Sequence, residues 1–218
     1  MNRPTTFRDE PIILLAAGAS SRMGGEDKLL RMVDGRPLLR RQAEAALGTG
    51  APVHVALPAE PGARSEALDG LDVIAVPCPT AQHGLAATLR SMVGQLPACS
   101  AFMVLPADLV DLGTEDLVAV YEARIQNRGH LIWRGATPEG KGGHPVLFDA
   151  RLRRHFAMLS GDAGAAPIIQ TNANRCFSVL FEDDRALRDL DTPADWAAWE
   201  ASRDPQQVID LSLRAGTR

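Results

Sequence analysis

Residues 12–30, IILLAAGASSRMGGEDKLL, constrain this chain more than any other stretch. Ile12-Ile13-Leu14-Leu15 is a short, unbroken, partly β-branched apolar run, which suits a strand covered on both faces of a parallel sheet. Gly18, Gly24 and Gly25 then remove the Cβ atoms that would hold an anion away from backbone N–H groups. Ser20 and Ser21 add hydroxyl donors, and Arg22 and Lys28 add positive charge. The pattern is that of a strand feeding a phosphate-binding loop. It is not the common P-loop, because no Gly-Lys-Ser/Thr follows Gly24, and it fails the dinucleotide fingerprint because Ser20 and Met23 stand where glycines are needed.

The rest of the chain limits what such a loop can serve. A length of 218 residues is enough for one sizeable core and argues for one domain. No apolar run approaches the eighteen or so residues of a membrane span, and residues 1–10 lack the apolar centre of a secretory signal, so a cytoplasmic protein without a membrane partner is expected. A net charge of −4 with interspersed signs gives no broad positive field, which argues against a nucleic-acid partner. Cys78, Cys99 and Cys176 are odd in number and widely spaced, fitting neither a disulfide framework nor a zinc site. Only Lys28 and Lys141 are lysines among 23 basic residues. In an Arg-rich chain a lysine can mark a place that needs a compact, mobile point charge, though with two residues chance is a serious rival explanation.

Apolar runs and turn residues predict strands near 53–57, 72–76, 101–109, 131–134, 145–148 and 177–181. Helices are expected over 38–47, weakly over 63–68, then over 85–96, 114–126, 150–159 and 164–170, with a last one entered through Thr192 as cap and Pro193. Thr114 is the expected cap of the helix at 114–126. Asp34-Gly35 pivots a turn within 31–37. Alternation at this spacing predicts a three-layer α/β/α sandwich around a mostly parallel, Rossmann-like sheet. Residues 1–10 form a mobile lead-in, 11–204 the domain, and 205–218 a tail. The excursion between about 131 and 176 breaks the alternation and is expected to receive a second substrate. Asp108 falls at the C-terminal end of a strand, the edge where open α/β sheets bind ligands.

The order Leu-Ala-Ala-Gly-x-Ser-x-Arg-Met-Gly from Leu15, followed by Lys28, resembles the signature of the MobA-like nucleotidyltransferases. Respectable matches follow at 105–109, 143–148, 159–165 and 189–196. The resemblance implies a nucleotide-diphospho-sugar transferase type of fold and transfer of CMP from CTP, or GMP from GTP, to the phosphate of molybdopterin. It implies Mg²⁺ as cofactor and a molybdoenzyme as a possible further partner. Ala16-Ala17-Gly18-Ala19-Ser20 is similar to the cytidylyl branch and Gly24-Gly25-Glu26-Asp27-Lys28 to the guanylyl branch; the first lies nearest the base, so CTP is favoured.

Carried onto this chain, Leu15, Ala16, Ala17, Gly18, Ala19, Ser20, Ser21, Arg22, Gly24, Lys28 and Gly84 face the nucleotide, with Lys28, Arg22 and Asp108 as the catalytic set. Mg²⁺ takes few protein carboxylates, and Asp108 and Asp191 are the candidates, with Asp189 a close rival to the latter. By itself either acid would read as a turn or helix cap. Lys141, Gly143, His144 and Asp162 are expected at the acceptor. The sequence departs from the family pattern at Ala166, where an Arg is usual. A sugar phosphate as acceptor, or a carrier that binds the cofactor without catalysis, are the competing readings.

Overall fold

The computed structural model describes residues 7–19 and 23–203. The strands are β1 (Ile12–Leu15), β2 (Met32–Val33), β3 (Arg36–Pro37), β4 (Val53–Leu57), β5 (Ile74–Pro77), β6 (Ala101–Pro106), β7 (Ile132–Ala136), β8 (Gly142–Asp149) and β9 (Cys176–Leu180). The helices are α1 (Leu38–Leu47), α2 (Ala63–Glu66), α3 (Leu85–Gln95), α4 (Thr114–Gln126), α5 (Arg153–Phe156), α6 (Ala166–Thr171) and α7 (Pro193–Ser202). Seven strands form one sheet in the order β5-β4-β1-β6-β8-β7-β9. β1 pairs in parallel with β4 and β6, β4 with β5, and β7 with β9, while β8 runs antiparallel to both neighbours. The chain therefore has a mostly parallel α/β fold.

Strand alternation explains why the apolar runs are continuous. Ile12 and Leu14 enter one core with Met103 and Leu105, against residues of α1, α4 and α7. Ile13 enters the other with Phe102 and Val104, against α3, α5 and α6. Each face needs its own apolar cover, so neither parity can be polar. In the second core Phe102 sits opposite Phe148 across β6 and β8, and Phe156 meets Phe148 edge-on at 5.0 Å between ring centres.

Several local expectations change. Asp34 and Gly35 both have positive φ, 51° and 76°, and close a tight β2–β3 hairpin where a plain turn was expected. Thr114 does not cap α4: its hydroxyl donates to the Ala45 carbonyl at 2.8 Å, and the Asp116 carboxylate accepts the Gly113 N–H at 2.8 Å instead. The helix expected over 150–159 is a 3₁₀ turn followed by the single turn of α5. The gap between the strands expected near 131–134 and 145–148 shrinks to a hairpin turn because β7 extends to Ala136 and β8 begins at Gly142. The lead-in is held at its inner end: Phe7 is buried and stacks on Tyr121 at 4.1 Å, and Glu10 pairs with Arg124 at 2.6 Å. An aromatic residue that close to a strand start finds the core more readily than water. Residues 1–6 and the expected tail at 205–218 lie outside the described residues.

Candidate active site

The C-terminal edge of the parallel strands opens into a cavity of about 580 Å³, a size that takes a nucleotide. Its walls include Leu15, Ala16, Ala17, Gly18 and Ala19 as the chain leaves β1, Lys28 beyond the loop, Gly84 at the start of α3, and Asp108 beyond β6. Gly24 and Gly25, at φ 65° and 102°, give the loop backbone conformations that other residues rarely adopt. Ser20, Ser21 and Arg22 lie outside the described residues.

Lys28 is the centre of the charge arrangement. Its Nζ donates to Asp108 Oδ2 and to Asp191 Oδ1, both at 2.5 Å, across sequence separations of 80 and 163 residues. Asp108 arrives on the chain leaving β6. Asp191 arrives because a backbone bridge between Leu109 and Asp189 lays the segment before α7 alongside, and Thr192 then caps that helix. Burial alone would lower the Lys28 ammonium, but Asp108 and then Asp191 outweigh it and hold the group above its ordinary 10.5. Asp189 also lines the cavity; burial, then the Asp191 charge, raises its carboxyl above the usual range.

Arg64, on α2, has no signal in the sequence to announce it. Buried behind the loop, its guanidinium donates to the carbonyls of Ala16 at 2.6 Å and Gly18 at 2.8 Å. The same group grips Asp27 through two bonds, at 2.6 and 2.9 Å. Asp27 in turn caps the 3₁₀ turn that begins at Lys28, accepting the Leu29 N–H at 3.0 Å. Arg64 thus ties the exit of β1 to the turn carrying Lys28. A four-residue helix in an Arg-rich chain offers no periodicity by which to single it out.

The acceptor candidates are dispersed. His144 lines the cavity beside Asp108, and its Nδ1 is buried without a hydrogen-bond partner. Its imidazole is pushed down to about 4, chiefly by burial and further by the Arg134 guanidinium, against the raising influence of Asp108 and the Val104 backbone. Gly143 packs on the turn at Ala186, whose carbonyl oxygen would lie 2.1 Å from any Cβ at that position. Asp162 places a carboxylate over Gly84, whose φ of 92° favours glycine. Lys141 is exposed in the β7–β8 hairpin and does not line the cavity. Ala166, the departure from the family pattern, lines a side recess together with Arg134. Ala81, Leu85 and Thr88, which the sequence did not single out, complete the wall around Gly84.

Among the described residues no group of three or more His, Cys, Asp or Glu side chains comes together to cage a metal. Asp108 and Asp191 are the hard carboxylate donors that Mg²⁺ takes one or two of, completing its shell with phosphate and water, and the point on which their oxygens converge is held by the Lys28 ammonium. Among the described residues no helix is long and apolar enough to cross a membrane.

A mostly parallel sheet thus gathers a glycine-containing loop, a lysine and two acids at its ligand edge. The MobA-like NTP transferase domain matches residues 12–176, and the chain belongs to that family. It is 32% identical over 142 residues to a molybdenum cofactor guanylyltransferase of Rhodopseudomonas palustris (strain BisB5), and 32% over 140 residues to that of strain HaA2. These matches cover 63% of this chain and 64% and 63% of the relatives, so the chain spans less than two thirds of the curated relatives' length. Among solved structures it resembles Rv0371c from Mycobacterium tuberculosis H37Rv, with a TM-score of 0.72, 23% identity, and coverage of 90% of this chain and 100% of that one. It also resembles a CMP:2-keto-3-deoxy-manno-octonic acid synthetase complexed with CTP, with a TM-score of 0.67, 15% identity, and coverage of 88% and 97%. At these identities the structural likeness concerns the fold.

Proposed function

We propose that the chain transfers a nucleoside monophosphate from CTP to the phosphate of molybdopterin, releasing pyrophosphate. The observation that carries this reading is Lys28, bridged to Asp108 and Asp191 at 2.5 Å on the wall of a nucleotide-sized cavity bounded by the β1 loop. An acceptor phosphate is already an anion at neutral pH, its second pKa being about 6, so no general base is needed. A phosphate oxygen of the acceptor bonds to the α-phosphorus as the bond to the β-bridging oxygen breaks, and the electron pair leaves with pyrophosphate. The protein positions and screens. The backbone from Ala16 to Ala19 borders the triphosphate, Lys28 offsets charge gathering on the transferred group, and Arg22 is assigned to the outer phosphates. Asp108 and Asp191 would hold Mg²⁺, which supplies charge neutralisation at the phosphates; the crystal structure of Rv0371c in complex with manganese is a relative in fold with a divalent ion.

GTP is the second donor, favoured by the names of the Rhodopseudomonas relatives; the Ala-Ala-Gly-Ala-Ser loop supports CTP. His144 beside Asp108 supports an acceptor on the β8 side of the cavity. The test is pyrophosphate release by the full chain with Mg²⁺, molybdopterin and either CTP or GTP. Asp108→Asn is expected to lower turnover roughly a hundredfold or more, the scale on which one charge-stabilising group acts. Turnover with a sugar 1-phosphate and none with molybdopterin would overturn the acceptor, and unchanged turnover in Asp108→Asn would overturn the metal assignment.

A further inference from the structure

The cavity has a side recess of about 210 Å³, continuous with it through Leu15, Leu85, Pro106 and His144. It is also lined by the small-residue run Ala163, Gly164, Ala165 and Ala166 with Ile169, which carries no charge. Arg134, on β7, is the recess's charged lining residue among those described. Its guanidinium lies against Gly142, where a Cβ would come within 2.5 Å of the guanidinium carbon, so glycine there leaves room for the planar group. Arg134 is half-buried, and its hydrogen bond among the described residues is a 3.2 Å donation from Nε to the Gly143 carbonyl. It forms no ion pair among the described residues.

A guanidinium has five N–H donors in a planar fork. One long bond to a carbonyl leaves the charge uncompensated, and a half-buried cation without a counter-ion is costly to maintain. Besides the Gly143 carbonyl, the neighbouring group that acts on its charge is the Cys176 thiol, whose own pKa burial raises. Beside the guanidinium His144 presents a buried Nδ1 that has no hydrogen-bond partner among the described residues.

We propose that Arg134 and His144 form an anion subsite of the acceptor half of the cavity, binding a phosphate monoester or carboxylate of the acceptor in the fork of Arg134. The subsite rests on the transferase reading only in that its anion belongs to the acceptor. The fork fits both anions, each offering paired oxygens to parallel N–H donors. The small residues of the lining leave the recess a volume of about 210 Å³, room for a group larger than the anion itself.

The test fills the nucleotide loop with an α,β-methylene analogue of CTP or GTP plus Mg²⁺, then titrates inorganic phosphate and, separately, acetate into the full chain by calorimetry. The wild type is expected to bind one of the two. Arg134→Gln should weaken that binding about tenfold or more, as loss of a charge-assisted bidentate pair would, with Arg134→Lys intermediate. The preferred anion tells phosphate from carboxylate. Thermal melts accompany the titrations, with Arg134→Met expected to melt at or above the wild-type temperature. Anion binding unchanged in Arg134→Gln, no binding of either anion by the wild type, or a lower melting temperature in Arg134→Met would each overturn the subsite. If neither analogue binds, the transferase reading fails, and the same titrations on the free chain still decide Arg134.

Discussion

At the scale of single residues, the site depends on groups that hold other groups in place. Among the described residues Arg64 makes four bonds within 2.9 Å to two loop carbonyls and one carboxylate. Lysine could replace the charge but not the fork, so Arg64→Lys is not a conservative change here. Arg64→Ala is expected to destabilise the fold on the order of 3 kcal/mol, because Asp27 and two carbonyls lose their partner together. Urea denaturation measures that loss, and nucleotide affinity should fall alongside it in both variants. An unchanged affinity in Arg64→Lys would show that the loop holds its shape without the fork. His54, in β4, is a residue of a different kind: burial holds its imidazole below the ordinary 6.5. The unfolded chain therefore takes up more protons than the folded one below that value, and stability falls as pH drops through it. Melting temperatures across that range should decline less in His54→Gln than in the wild type.

At the scale of elements, α7 matters for what precedes it. Thr192 accepts the Asp195 N–H at 3.2 Å, and Asp195 accepts the Thr192 N–H at 2.8 Å, a reciprocal box with Pro193 in the first turn. That box fixes the direction of the chain one residue after Asp191. Thr192→Ala is expected to cost about 1 kcal/mol in thermal unfolding, as cap removals do. Nucleotidyl transfer should fall by more than that loss of stability explains, measured at a temperature where the variant stays folded. β8 plays a comparable part on the other side, since it enters antiparallel between β6 and β7 and brings His144 beside the end of β6.

At the scale of the whole molecule, the sheet collects at one edge residues that are remote in the chain. The apolar runs determined most of the strands and both cores, because a sheet covered on two faces writes itself as unbroken hydrophobic sequence. The segment from Ile12 to Lys28 likewise determined that a loop with glycines and cations leaves the first strand, since glycine needs are local. Boundaries were less legible where strength comes from tertiary pairing: β7 and β8 extend beyond their apolar residues into glycines because each finds a neighbour to bond. Thr114 was misjudged as a cap because its hydroxyl is claimed by the Ala45 carbonyl, 69 residues away in sequence. Only the tertiary structure decided that Lys28 reaches Asp108 and Asp191, that Arg64 braces the loop, and that Arg134 faces a recess with no counter-ion among the described residues. The physical reason is one of range. Burial preference and backbone conformation are properties of a few neighbouring residues, whereas the partner of a charge is set by strand order, and strand order is a property of the whole sheet.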